Sequence, residues 1–200
     1  MLTRNCISSL VIDTLCEQAC GQNIAVLSLY CDYQAHKDQS AVNMIGSLVR
    51  QVALGEVGMG EIRDAFQKSR QGGGKGLRLP EMLGLLVKTI GSFKRVYICV
   101  DAIDELLPQH RSELLRALRQ IIQEAPSTRL FLTGRPHIRG ELDRYLTEGA
   151  YLIHIVPDKR DIAIYLSRKM DDDDARDPHL MTENLKNDIM KTMLEKTSEM

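Results

Sequence analysis

Six mostly apolar residues in RVYICVDAIDEL, Arg95 to Leu106, run directly into three acids, Asp101, Asp104 and Glu105. A second apolar run, RLFLT, ends at Thr133 and is followed by Gly134 and Arg135. Carboxylates are hard oxygen ligands for magnesium, and an arginine is a permanent cation shaped to grip phosphate oxygens. Brought to one place, these residue types could handle a metal-bound polyphosphate. An acid cluster after a strand can also do no more than cap a turn, since carboxylates favour helix starts. One run ending DxxDE together with another ending LTGRP is a narrower pattern than either alone, and it favours the functional reading.

The elements that must position these residues follow from hydrophobic period. Ile24 to Cys31, Arg95 to Val100, Arg129 to Thr133 and Tyr151 to Val156 are short, nearly continuous apolar runs, as expected of strands buried on both faces. Helical stripes lie between them: Ile7 to Ala19, Ala41 to Leu54, Glu61 to Ser69, Leu79 to Ile90, Pro108 to Glu124, and helices around Asp158 to Lys169 and Met181 to Lys196. Ser40 suits an N-cap, and Pro108 suits a first turn. Strands that alternate with helices predict a three-layer α/β fold, a parallel sheet with helices on both faces. In such sheets ligands sit at the carboxyl ends of strands, where the acids and Arg135 fall.

Composition removes several function classes. The chain has 200 residues, 44% of them hydrophobic, which is enough for a core. Lys and Arg number 26 against 27 acids, so no net field favours nucleic acid or a charged membrane surface. No apolar run reaches the roughly 20 residues needed to span a bilayer, and the N-terminus lacks the order of a signal peptide. Five cysteines, all in the first half, do not suggest a disulfide framework; they read as reduced thiols in a cytoplasmic protein. Cys16 and Cys20 have no second pair at zinc-ligand spacing. The histidines at 36, 110, 137, 154 and 179 are scattered and form no pair at such spacing. Asp171 to Asp174 lack the alternate spacing of a calcium loop and read as a solvated loop. The methionine-rich tail reads as helix core.

VYICVDAIDEL resembles the Walker B segment of the NACHT branch of STAND P-loop NTPases, and RLFLTGRP resembles its sensor motif. SLVIDTLC, YCDYQAHKDQSAVNMIGSLVRQ, IVPDKRDIAIYLSRKM and LEKTSEM resemble fungal NLR-like proteins with a nephrocystin-like N-terminal module. The resemblance covers nearly the whole chain. It implies ATP or ADP with magnesium as cofactors, and a switch that exchanges nucleotide and hydrolyses it slowly. By this resemblance Asp101 would hold magnesium, Glu105 or Asp104 would orient or deprotonate the attacking water, and Arg135 would sense the γ-phosphate. Thr133 would help position the water, or would serve simply as a β-branched strand residue. The implied partners are proteins, through self-association or related NACHT proteins, with neither nucleic acid nor membrane involved.

The chain departs from the family at one place. It contains no GxxxxGK[ST], whose backbone N–H groups, lysine and hydroxyl cradle phosphates and magnesium. Arg4, Asn5 and Cys6 stand where relatives carry GKT or GKS. GGGKG at Gly72 to Gly76 lacks the earlier glycine and the hydroxyl residue, and reads as a linker. The central P-loop strand is therefore expected to be missing, leaving strand edges unpaired or drawing the last strand into the gap. The expected organisation is a partial NACHT core over residues 1–156 and a truncated helical extension over 157–200. A fragment, a mispredicted gene or a degenerate paralogue would each account for this. Two functions stay open: the nucleotide-binding part of a signalling switch, or a non-catalytic interaction module. A P-loop ATPase of another branch is a third, less consistent with the fungal-type blocks.

Overall fold

Each apolar run that became a strand here has a parallel neighbour to accept its backbone groups. The computed structural model describes residues 2–35, 37–53, 59–71, 76–146, 149–155, 158–176 and 182–196. In chain order the elements are α1 (Leu2–Ala19), β1 (Ile24–Tyr30), α2 (Ala41–Ala53), α3 (Met59–Gln71), α4 (Leu79–Ile90), β2 (Arg95–Asp101), α5 (Pro108–Glu124), β3 (Thr128–Leu132), α6 (Arg139–Leu146), α7 (Lys159–Arg176) and α8 (Glu183–Lys196). Single 3-10 turns at Ile103–Glu105 and Pro136–Ile138 follow β2 and β3. The sheet is parallel in the order β1-β2-β3, with Ile98 opposite both Leu27 and Leu130.

Alternation along β2 separates two helical layers. Val96, Ile98 and Val100 join the main core with Leu27 and Leu29 of β1, Ile45 and Leu48 of α2, Leu86 and Ile90 of α4, and Leu114 and Leu118 of α5. The side chains of opposite parity, Cys99 and Asp101, face the other way. Asp101 meets Ser8 of α1, and α1 packs on β1 and β2. This is the three-layer arrangement of a P-loop-like fold. Among the described residues, no helix is long and apolar enough to cross a membrane.

The outer edge of β1 is closed by side chains. Gln51 of α2 accepts the N–H of Ser28 at 2.8 Å and donates to the Ser28 carbonyl at 2.8 Å, standing in for a neighbouring strand. Gln39 does the same one step on, donating to the Tyr30 carbonyl and accepting from the Asp32 N–H, each at 2.9 Å.

Several elements differ from the sequence reading. Tyr151 to Ile155 forms no strand, and its apolar side chains are exposed. Its β-branched and aromatic content suits a strand, but a strand also needs a neighbour for its backbone groups, and no described residue supplies one. Val156 lies outside the described residues. Asp171 to Asp174 belongs to α7 rather than to a loop. The helix α6 arises from RGELDRYL, which has too little apolar periodicity to announce itself, and it is held by α5 through Arg116 stacked 5.7 Å from the Tyr145 ring centroid. Leu54, most of the glycine-rich QGGGKG, His36, His179 and the closing SEM also lie outside the described residues.

The chain divides into two compact units, Met1–Ala150 and Tyr151–Met200. In the second, α7 packs against α8, and Met170 is buried.

Gln51→Ala leaves the partly buried Ser28 amide and carbonyl without partners. Such a loss costs about 1–3 kcal/mol, which lowers the melting temperature of a chain this size by about 2–4 °C per kcal/mol. Differential scanning calorimetry on the variant reads this directly; an unchanged melting temperature would show that the edge does not depend on Gln51.

Candidate functional site

The carboxyl ends of the three strands converge on Asp101, the last residue of β2 and only 4% exposed. A buried carboxylate is costly unless hydrogen-bonded. Ser8 of α1 donates its hydroxyl to Oδ1 at 2.5 Å, and Thr133, just past β3, donates to the same oxygen at 2.6 Å. One oxygen thus ties α1 and β3 to β2.

Thr133 also shapes the turn that carries the other acids. Its hydroxyl accepts the Ala102 N–H at 2.8 Å, and its carbonyl accepts the Ile103 N–H at 3.0 Å. Between them Ala102 adopts a left-handed backbone, φ 53° and ψ 44°, which costs a non-glycine residue about 1–2 kcal/mol. The chain then makes the 3-10 turn bearing Asp104 and Glu105.

Asp104 and Arg135 are directly joined. The Arg135 N–H reaches Asp104 Oδ1 at 3.1 Å, and its Nε lies 3.2 Å from Oδ2. The Asp104 side chain is 2% exposed, whereas that of Arg135 is about half exposed. Glu105 turns toward β1 and accepts the Tyr33 N–H at 3.1 Å. Gly134 makes the approach possible: a Cβ there would stand 2.8 Å from Ile138 Cδ1 and 3.3 Å from Ile103 Cγ2.

Two further groups register the convergence. The Cys31 thiol at the end of β1 is pushed up to about 12, chiefly by burial and then by the charges of Asp101, Glu105 and Asp104. All three acids therefore bear on one spot. Behind the turn, buried Arg111 of α5 donates to the Leu106 carbonyl at 3.1 Å, lies 3.4 Å from the Asp104 carbonyl, and pairs through Nε with Glu141 of α6 at 2.7 Å. Ser112 donates to the other Glu141 oxygen at 2.7 Å. Partial burial alone would raise the Glu141 pKa; hydrogen bonds from Ser112 and Arg111, with the charges of Arg111 and Arg144, outweigh it and hold the carboxyl below its ordinary range.

The structure thus joins Asp101 with Thr133 and Asp104 with Arg135, and sets Glu105 on Tyr33. Sequence reasoning missed Ser8, Cys31, Arg111 and Glu141. Ser8 sits in a helical stripe with nothing in its spacing to mark it, and Arg111 and Glu141 are too far apart in sequence for a local pattern. Among the described residues, no group of three or more His, Cys, Asp or Glu forms a metal cage. Magnesium does not require one, because it keeps most of its waters and takes one or two carboxylates. Both hydroxyl bonds fall on Asp101 Oδ1 and neither on Oδ2, an arrangement that suits such a hydrated ion.

Two experiments check these assignments. Only thiolate reacts with iodoacetamide, so at pH 8 the native protein is expected to be alkylated rapidly at the exposed Cys16 and Cys20. Cys31, and Cys99 with its thiol raised to about 11 by burial and by Cys16, react only on unfolding; rapid native labelling of Cys31 by mass spectrometry contradicts this. For Glu141, the lowered folded pKa means its stabilisation is fully present above the unfolded value, about 4.3, and fades as pH falls through the folded value. The stability gap between wild type and Glu141→Gln in urea titrations should therefore be flat near neutrality and shrink below that value. A gap that widens with acid reverses the assignment.

The profile of a family described as Nephrocystin 3, N-terminal, matches residues 4–135, a span that includes most of α1, all three strands and Arg135. No curated protein and no solved structure shows significant similarity to the chain.

Proposed function

Since the chain belongs to the nephrocystin 3 N-terminal family, we propose that its strand ends form the metal-and-water half of a nucleotide site, in a module that works as an NLR-like, NACHT-type signalling switch. The observation that carries this reading is the carboxylate of Asp101, buried at a strand end and fixed on one oxygen by Ser8 and Thr133. Magnesium held there would supply positive charge to offset that of a phosphate. Asp101 would hold it through water. Glu105, beside the same strand end, is the preferred base for a water, with Asp104 as the other acid of the turn. Arg135 is the group that would read a terminal phosphate, and to do so it must exchange some of its contact with Asp104 for phosphate oxygens. That exchange gives the site a switch-like character, because the arginine has a partner in the absence of nucleotide as well. Slow hydrolysis would suit such a device.

One observation favours a second reading. Asp104 and Arg135 neutralise each other, as expected of a module whose acids serve only the fold and whose role is to bind other proteins. The 200 residues also contain no GxxxxGK[ST] to cradle phosphates.

Titration of the chain with a fluorescent ATP analogue, with and without magnesium, separates the two. The switch reading expects magnesium-dependent binding that Asp101→Asn weakens at least tenfold, about 1.4 kcal/mol, and that Arg135→Ala weakens more for ATP than for ADP. Circular dichroism confirms that each variant is folded. Absence of nucleotide affinity in the wild type, or indifference to Asp101→Asn, would falsify the switch reading and leave the interaction module.

A further inference from the structure

The inward side of β1 runs on past the end of β2. In a parallel strand the N–H and C=O of one residue point to the same side, and successive residues alternate. Cys31 N–H bonds to the Asp101 carbonyl at 3.0 Å, so the odd-numbered residues face β2, and the next inward donor is the N–H of Tyr33. By that point β2 has left the ladder. Ala102 takes its left-handed conformation, and the Ile103 N–H turns to the Thr133 carbonyl on the β3 side. The Glu105 side chain reaches back across the turn and takes the next place in the ladder, Oε2 accepting the Tyr33 N–H at 3.1 Å.

That one bond is what holds the carboxylate. Glutamate is a long side chain with much rotamer freedom to lose, and no other described residue donates a hydrogen bond to Glu105. With Oε2 occupied, Oε1 is the oxygen left to accept from a water.

The donor is in turn held from outside. Gln39 spans the outward groups on either side of Cys31, donating Nε2 to the Tyr30 carbonyl and accepting the Asp32 N–H, each at 2.9 Å. Beyond Asp32 the chain turns, with the Gln34 N–H on Asp32 Oδ1 at 2.8 Å and the Ala35 N–H on the Asp32 carbonyl at 3.1 Å. An Asx turn of this kind sets Tyr33 between fixed neighbours. Gln39 is itself anchored: its N–H bonds to the Ala35 carbonyl at 3.2 Å, and the carbonyl of adjacent Asp38 accepts from Asn43 of α2 at 2.6 Å. A path of hydrogen bonds thus leads from α2 through Gln39 and the Tyr33 N–H to Glu105. Gln51 makes the same pair of bonds at Ser28, earlier in the strand, where the edge leads to no acid.

We propose that Gln39 is a positioning residue for Glu105: by holding the end of β1 in strand geometry it fixes the Tyr33 N–H, and through it the carboxylate that takes a proton from the attacking water. This inference rests on the nucleotide reading given above. Gln39 acts through backbone groups alone, so its loss slows the water step without weakening nucleotide binding.

The test compares Gln39→Met, which keeps the length of the side chain and removes its amide, with Gln51→Met, the same change at the other glutamine of the edge. Binding of ATP with magnesium and single-turnover release of phosphate from radiolabelled ATP are measured for each. Glu105→Gln is expected to slow release about a hundredfold, the loss of a general base, and Gln39→Met about tenfold, as for a displaced one. ATP affinity stays within about twofold of wild type in both, the pattern of an interaction used only in the chemical step. Gln51→Met releases phosphate at the wild-type rate. In the Glu105→Gln background Gln39→Met adds no further loss, because the group it positions is gone. Amide exchange at Tyr33 accelerates in Gln39→Met while the circular dichroism spectrum is unchanged. A wild type with no magnesium-dependent ATP affinity sinks the nucleotide reading, and this proposal with it. The proposal alone is overturned by a wild type that binds ATP and releases no phosphate, or by Gln39→Met releasing phosphate at the wild-type rate. It is equally overturned if Gln51→Met is slowed as much as Gln39→Met, if the losses from Gln39→Met and Glu105→Gln add in full, or if the Tyr33 amide stays protected in Gln39→Met.

Discussion

Placing a carboxylate at the buried end of β2 is the constraint around which the rest of the first unit is arranged. An unpartnered Asp101 in that position would be expensive. The two hydroxyls on its Oδ1 remove most of that cost, and each comes from a different layer or strand. Satisfying one atom therefore fixes where α1 lies on the sheet and where the chain leaves β3. Thr133 extends the constraint, since the same hydroxyl that donates to Asp101 accepts from Ala102 and holds the left-handed turn. The acids of the turn inherit their positions from that bond.

Charge balance around this point is local. Three acids crowd the strand ends, and the chain answers with Arg135 on Asp104 and Arg111 behind the turn. The thiol of Cys31, which has no such counter-charge, stays protonated. The surroundings thus stabilise the acids themselves rather than creating a generally basic pocket. The carboxylates of the turn and strand end are held in place by hydroxyls and backbone N–H groups.

The fold was legible in the sequence where local pattern and tertiary context agree. RVYICV reads as a buried strand because both its faces meet helices and both its edges meet strands, so nothing in its setting contradicts its composition. YLIHI carries a comparable local signal, yet it forms no strand with any described residue. Composition reports what a segment could pair with, and the presence of a partner is a non-local fact. The acids, Thr133 and Arg135 were visible as a set because they follow two strands at similar offsets. Ser8 was not: a single serine in a helical stripe gains its role only when the helix is laid over Asp101. Arg111 and Glu141 are joined across a turn, a strand and part of two helices, a separation over which sequence spacing says nothing.

The guanidinium of Arg111 has a mechanical implication. One planar group reaches the carbonyl of Leu106 on the acid turn and the carboxylate of Glu141 on α6, and it is nearly sealed from water. A planar fork held at both ends transmits displacement in a way that a flexible ammonium could not. The acid turn and α6 are therefore coupled through one buried side chain, so α6 cannot move away without breaking a contact beside Asp104.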